Sequence, residues 1–341
     1  MKIRIFVGTG GVGKTSIAAA SALRAAMSGG KCLVLTIDPA LRLRKTLGLT
    51  SQGLEQKVDT GSLSARGELW AGLMDVRSTL DRAVQLYGTP KQAETVLGHP
   101  IYRMLVDSLA GMQELLAIER IDQAMAEGFE NIFIDTAPSR HAFEFLDKPE
   151  FFAQLVSLPL IQWVGKTYRW WEGSALSRLG RKSVELYSRV EEILGATLVR
   201  QVLDFYSVFR TIAEGYADRA RRTSRLLHRQ DTTGFTVVTS PYKAQRDGDY
   251  FLAELKKRNY AVDCIVVNRV WPQLEPEPPT GGPGIASDML EWYREVSGAH
   301  ARTCDDFVRH FSGKVARVQV LHELARDVDG LVALASLADV L

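Results

Sequence analysis

Gly8-Thr9-Gly10-Gly11-Val12-Gly13-Lys14-Thr15 stands between a short apolar run ending at Val7 and an alanine-rich stretch of helical period, Ile17 to Met27. The spacing fits G-x-x-x-x-G-K-[ST], and the strand before and the helix after are the contexts that this motif requires. Its chemistry follows from the residue types. Glycines let successive backbone N–H groups converge on phosphate oxygens, and the helix N-terminus adds the positive end of its dipole. Lys14 is placed to neutralise β- and γ-phosphate charge, and Thr15 to ligate Mg²⁺. Gly10, Gly11, Val12, Gly13, Lys14, Thr15 and Ser16 are therefore the expected contacts of a triphosphate tail.

Outward from this loop, short apolar runs recur at Ile3–Val7, Cys32–Ile37, Leu69–Met74, Asn131–Ile134, Phe235–Thr239, Cys264–Val267 and Val315–Val320. Most alternate with longer segments of helical period, which predicts an α/β fold with a mainly parallel central sheet flanked by helices. Runs apolar on both faces, such as Cys-Leu-Val-Leu-Thr-Ile, suit central strands covered on either side. Between about Pro149 and Gln230 the strand signal vanishes and helical spacing takes over. The expected division is a P-loop domain of 1–148 and 232–341 with a helical insertion at 149–231, to which helices within 76–127 could contribute. Residues Pro272 to Gly284, rich in proline and glycine, read as a loop, and helical pattern resumes near Ser287.

Two carboxylates end strands beside the loop. Asp135, closing Asn131-Ile132-Phe133-Ile134-Asp135-Thr136-Ala137-Pro138, is expected to hold Mg²⁺ through water near the γ-phosphate. Asp38, in Thr36-Ile37-Asp38-Pro39-Ala40, could orient or deprotonate an attacking water, or could cap the helix predicted from Ala40 to Leu47. Lys14 and these two aspartates are the candidate catalytic residues. ATP is favoured over GTP because Trp271 stands where a guanine-reading aspartate would follow Val266-Val267-Asn268-Arg269-Val270.

At these residues the chain resembles the ArsA family of deviant Walker A ATPases, which includes the arsenite-pump ATPase and the ATPase that delivers tail-anchored membrane proteins. The resemblance rests on Gly10–Thr15, Asp38–Ala40, Asp-Thr-Ala-Pro-Ser-x-His at Asp135–His141 and Val266–Asn268. It extends through Gly111-Met112-Gln113-Glu114 and the end around Asp327–Leu334. It implies Lys14 and Thr15 at phosphate and magnesium, Asp38 as the water-activating residue of switch I, Asp135 in switch II and Asn268 at adenine. It also implies a dimer closing face to face around two nucleotides. The family motif begins Lys-Gly-Gly; here that lysine is Thr9, so it cannot reach across a dimer to phosphate. Ser139-Arg140-His141 is similar to a bacterial ArsA-like subgroup that occurs as paired paralogues. Arg140 could replace the missing charge, or could form a surface salt bridge.

Composition excludes other classes. At 341 residues, 46% hydrophobic and 24% charged, the chain reads as soluble and globular. Lys plus Arg number 42 against 40 Asp plus Glu, so no global field argues for nucleic acid or an anionic membrane. The charge-free stretch from Phe151 to Val164 is too short and too interrupted to span a bilayer, and no stable membrane insertion is expected. Val328 to Leu341 has no Lys or Arg, so it lacks the basic face of a membrane-surface helix. Three scattered cysteines, Cys32, Cys264 and Cys304, offer no thiolate cluster for a soft metalloid or for zinc, which argues against arsenite transport. Arg219, Arg221, Arg222, Arg225 and Arg229 form a basic run that reads first as a solvated helix face.

These readings converge on a cytoplasmic, ATP-hydrolysing switch, a homodimer or a heterodimer with a related chain, that binds an unknown protein client. The alternatives are a nucleotide-binding regulatory or scaffold subunit with little turnover, which Thr9 keeps open, and a P-loop enzyme acting on a small molecule.

Overall fold

The computed structural model describes residues 1–37, 42–49, 55–109, 116–137, 143, 146, 196–273 and 285–341. Several sequence expectations lie outside those residues: Asp38, the Gly111–Glu114 segment, Ser139-Arg140-His141, the 149–195 part of the insertion, and 274–284 of the proline-rich loop. The chain divides into two compact units. One comprises Met1–Met74, Gln123–Phe143 and Arg225–Leu341; the other comprises Asp75–Asp122 and Glu144–Ser224.

The first unit is built on an eight-stranded sheet. Its strands are β1 (Lys2–Gly8), β2 (Lys31–Thr36), β3 (Glu55–Lys57), β4 (Glu68–Leu73), β5 (Asn131–Asp135), β6 (Thr233–Thr239), β7 (Val262–Val270) and β8 (Arg317–His322). They lie in the order β3-β4-β2-β5-β1-β6-β7-β8. All neighbours run parallel except β3, which pairs antiparallel with β4 at the edge. All seven apolar runs read from the sequence are strands of this sheet. β3 was not foreseen, because Glu55-Gln56-Lys57 contains no apolar residue.

The central strands are buried over most of their length, as strands covered on both faces must be: Ile3, Ile5, Val7, Leu33, Val34, Ile132 and Ile134 are inaccessible to solvent. Helix α1 (Lys14–Ser28) lies on one face and presents Ala18, Ala19, Ala22, Leu23 and Ala26, all fully buried. Its small side chains let the helix approach the sheet closely. Helix α2 (Arg42–Leu47) adds Leu43 and Leu47 to this core. The last helix of the chain, Leu331–Asp339, packs Leu334, Leu337 and Ala338 into the same core cluster as α1. Each such leucine contributes about 1.5–3 kcal/mol by leaving water. The three cysteines are free and buried on separate elements.

The first unit also holds a helix at Ala244–Lys257 and a long one at Ile285–Phe311. Gly248 makes their contact possible, since a Cβ there would stand 2.6 Å from Phe311 Cζ and 2.9 Å from Ile265 Cδ1.

The second unit contains three short helices, Val76–Tyr87, Pro90–Gly98 and Pro100–Ser108, with their starts fixed by caps. Asp75 accepts from Ser78 N at 2.7 Å, and Thr89 forms a capping box with Gln92 ahead of Pro90. A helix at Ala117–Ala126 and a 32-residue helix at Ala196–Leu227 straddle its borders. Arg221, Arg222, Arg225 and Arg229 of the basic run are exposed, as a solvated face requires, and Arg219 is half-buried. Arg219 reaches Asp122 at 3.2 Å and lies 4.9 Å above the Tyr87 ring, while Arg221 pairs with Asp218 and Arg229 with Asp231.

Candidate nucleotide site

Parallel strands end together, so the C-terminal ends of β1, β2, β5 and β7 lie at one edge of the sheet. The chain leaves β1 at Gly8 and enters α1 at Lys14 through Gly13, the helix N-cap, whose φ of 92° is left-handed. That conformation costs an L side chain about 1–2 kcal/mol. Space is a second constraint, because a Cβ on Gly13 would overlap the side-chain amide of Asn268. Asn268 Nδ2 donates to Val12 O at 2.8 Å, tying the end of β7 to the loop. Val12 itself is 4% exposed and turns its side chain into the core.

Lys14 is buried, and its ammonium folds back to donate to Thr9 O at 2.9 Å. Thr15 Oγ1 donates to Asp135 Oδ2 at 2.7 Å, and Thr36 Oγ1 donates to the same oxygen at 3.0 Å. Asp135, 1% exposed, is brought there by the pairing of β5 with β2, in which Thr36 and Asp135 are register partners. Thr136 donates to Phe6 O at 2.7 Å and fixes the first step of the following loop. A threonine hydroxyl and a carboxylate oxygen held 2.7 Å apart are hard oxygen donors of the kind that Mg²⁺ takes, so the donor set fits that ion. Thr9, at the position of the family lysine, donates its hydroxyl to Asp247 Oδ2 at 3.0 Å.

A cavity of about 340 Å³ opens beside the loop and is lined by Gly11, Gly13, Lys14, Thr15, Ser16 and Asn268. Arg42, Lys45, Arg269 and Arg326 also face it. Lys45 pairs with Asp329 at 3.1 Å and Arg269 with Glu323 at 3.7 Å. Arg42 and Arg326 have no ion-pair partner among the described residues, and their charge is available to an anionic occupant. Arg269 is itself in a left-handed conformation, φ 66°, where β7 slips register against β8. Strained backbone of this kind costs about 1–3 kcal/mol and clusters at ligand sites.

The profile of the anion-transporting ATPase family matches residues 1–281, most of the chain. The chain belongs to that family. Among similar proteins, the ATPase GET3C of Arabidopsis thaliana is 26% identical over 290 residues, covering 80% of this chain and 68% of that protein. Putative arsenical pump-driving ATPase 1 of Aquifex aeolicus is 24% identical over 284 residues, with 80% and 64% coverage. A putative arsenical pump-driving ATPase of Prosthecochloris vibrioformis is 30% identical over 151 residues, 44% of this chain and 36% of that one. The match thus spans about two thirds of the first two relatives and about a third of the last.

As a member of the anion-transporting ATPase family, the chain has an ATP hydrolase's phosphate loop on a mostly parallel sheet. Of the residues singled out in the sequence, Gly11, Gly13, Lys14, Thr15, Ser16 and Asn268 line one cavity, and Asp135 lies behind Thr15. Gly10 is in the exposed turn of the loop, and Asp38 lies outside the described residues. Sequence reasoning missed Thr36, Arg42, Arg269 and Arg326. Arg269 had one signal, its place directly after Asn268; the others reach the site only through the fold. No helix among the described residues is long and apolar enough to cross a membrane.

Proposed function

We propose that the protein binds Mg-ATP at the Gly8–Thr15 loop, hydrolyses it, and couples turnover to the shape of a dimer that binds a protein client. The observation that carries this reading is the Thr15–Asp135 hydrogen bond of 2.7 Å, which joins the loop to the end of β5. In this reading Lys14 exchanges its bond to Thr9 O for phosphate oxygens, and the amides from Gly10 to Gly13 cradle the triphosphate. Thr15 and Asp135 would hold Mg²⁺, which when bound offsets charge on the β- and γ-phosphates. Arg42 and Arg326, which line the same cavity, add positive charge. Asn268, anchored by its Nδ2, keeps its Oδ1 for the adenine amine. Asp38 positions the attacking water. The segment 149–231, whose sequence has helical period, forms the client-binding part with the helices of 76–127, and the cytoplasm is the working compartment.

Calorimetry with Mg-ATP, followed by phosphate-release assays, tests this reading; no heat on addition of magnesium and nucleotide would refute it. Asp38→Asn is expected to lower phosphate release at least about ten-fold while leaving ATP affinity within about two-fold, since a water-positioning carboxylate acts in the transition state. Equal loss of binding and turnover would instead make Asp38 a structural cap.

The Thr9–Asp247 bond supports a second reading, a regulatory subunit with little turnover of its own, because a threonine bonded to a carboxylate stands where the family motif has a cation. A heterodimer with a related chain then supplies the missing charge. Phosphate release measured for the chain alone and with such a partner separates the two.

A further inference from the structure

At the opposite end of β1 and α1 from the phosphate loop lies a second cavity, of about 470 Å³, within the size range of ligand pockets. Its rim carries Lys2 and Arg4 from β1, Arg24 from α1 and Arg317 from β8, with Asp263 as the one acidic side chain. Alternation along β1 places Phe6 on the same face, and Phe6 and Phe133 make an apolar floor. Four cations facing one carboxylate leave a local excess of three positive charges on a chain whose total is only +2.

Two local features build this arrangement. Between β6 and β7 the register runs Phe235↔Val262 and then Thr236↔Cys264, so Asp263 is a bulged residue. Bulges re-aim side chains beside functional sites, and here Asp263 and its neighbour Cys264 both line the same cavity. Gly234 lies under the Arg4–Asp263 pair, which closes at 2.6 Å; a Cβ at 234 would collide with both side chains. The carboxylate feels all three strand-borne cations: burial pushes the Asp263 carboxyl up, against the pull of Arg4, Lys2 and Arg317. The partners these cations already have are weak competitors for an anion. Lys2 Nζ donates to Asp231 O at 2.7 Å, Arg317 donates to Leu341 O at 3.0 Å, and Arg24 has no ion-pair partner among the described residues.

We propose that this cavity binds a hydroxyl-bearing phosphate monoester, a sugar or nucleoside phosphate. Its phosphate is held by Arg24, Arg317 and Lys2, its hydroxyls donate to Asp263, and its ring rests on Phe6 and Phe133. A bare anion would use the arginines but leave Asp263 as a repulsive neighbour, whereas a ligand that also donates turns that carboxylate into a contact. The site is separate from the nucleotide site, since six residues of β1 place about 20 Å between Lys2 and Gly8.

Calorimetry on the full chain with ribose 5-phosphate, and separately with inorganic phosphate, tests the assignment. Ribose 5-phosphate is expected to bind with a Kd below about 1 mM and to bind Lys14→Ala within about two-fold as tightly, since the phosphate loop is not involved. Arg24→Glu is expected to weaken it at least about ten-fold. Arg24→Ala, which removes the charge without reversing it, serves as the probe where Arg24→Glu lowers the melting temperature. Loss of binding in Lys14→Ala, unchanged binding in both Arg24 variants, or no heat at all would overturn the proposal. Inorganic phosphate binding as tightly as ribose 5-phosphate would overturn the ligand class.

Discussion

Gly13→Ala is expected to lower ATP affinity at least about 100-fold while the protein stays folded. The substitution acts on three things at once. A side chain at φ 92° costs about 1–2 kcal/mol of backbone strain. The new methyl group occupies the position of the Asn268 amide, so the bond from Asn268 to Val12 O must break. The loop then relaxes away from the left-handed turn that aims its amides at the phosphates. Each 1.4 kcal/mol is a factor of ten in binding, so strain, lost anchor and misdirected amides together reach two decades. The fold is expected to hold, because the side chains of Val12 and Ile17 on either side belong to the buried core cluster. Titration calorimetry with Mg-ATP measures the loss, and circular dichroism checks the fold; an unchanged Kd would show that Gly13 does not shape the cradle.

The second large effect belongs to Asp135. Asp135→Asn keeps the shape and leaves one oxygen to accept from Thr15 and Thr36, so what disappears is the negative charge. Phosphate release is expected to fall about 100- to 1,000-fold, equivalent to about 3–4 kcal/mol of lost transition-state stabilisation. The dependence of ATP affinity on magnesium should flatten at the same time. Asp135→Ala goes further, for it strands two hydroxyls beside a position that is 1% exposed, at about 1–3 kcal/mol for each buried group left without an acceptor. Its melting temperature should drop, whereas that of Asp135→Asn should hold. Steady-state phosphate release at several magnesium concentrations, paired with thermal denaturation, resolves both; wild-type turnover in Asp135→Asn would remove this residue from the chemistry.

The parts of the fold that were legible in the sequence are those whose signal is local. Apolar runs marked β1, β2 and β4 to β8, and the glycine-rich loop marked the start of α1. β3 carries its signal elsewhere, since Glu55-Gln56-Lys57 is extended only because Trp70, Ala71 and Gly72 on β4 offer it an edge. The same holds at the site. Lys14, Thr15 and Asp135 follow from motif and strand end, but Asn268 finds Val12 across 256 residues and Thr9 finds Asp247 across 238. Nothing in the neighbourhood of either residue announces its partner. The bulge at Asp263 and the left-handed turn at Arg269 are likewise produced by strand pairing, with no change in composition to mark them.

The cysteines show how burial can set a chemical temperament. Cys32, Cys264 and Cys304 are at most 5% exposed, and burial pushes the thiols of Cys32 and Cys304 up to about 11. Sulfur that is both hidden and protonated is a poor nucleophile and a poor ligand for soft metals. In the folded molecule these three thiols are therefore poor targets for alkylating agents and metalloids, and they become reactive only when the fold comes apart.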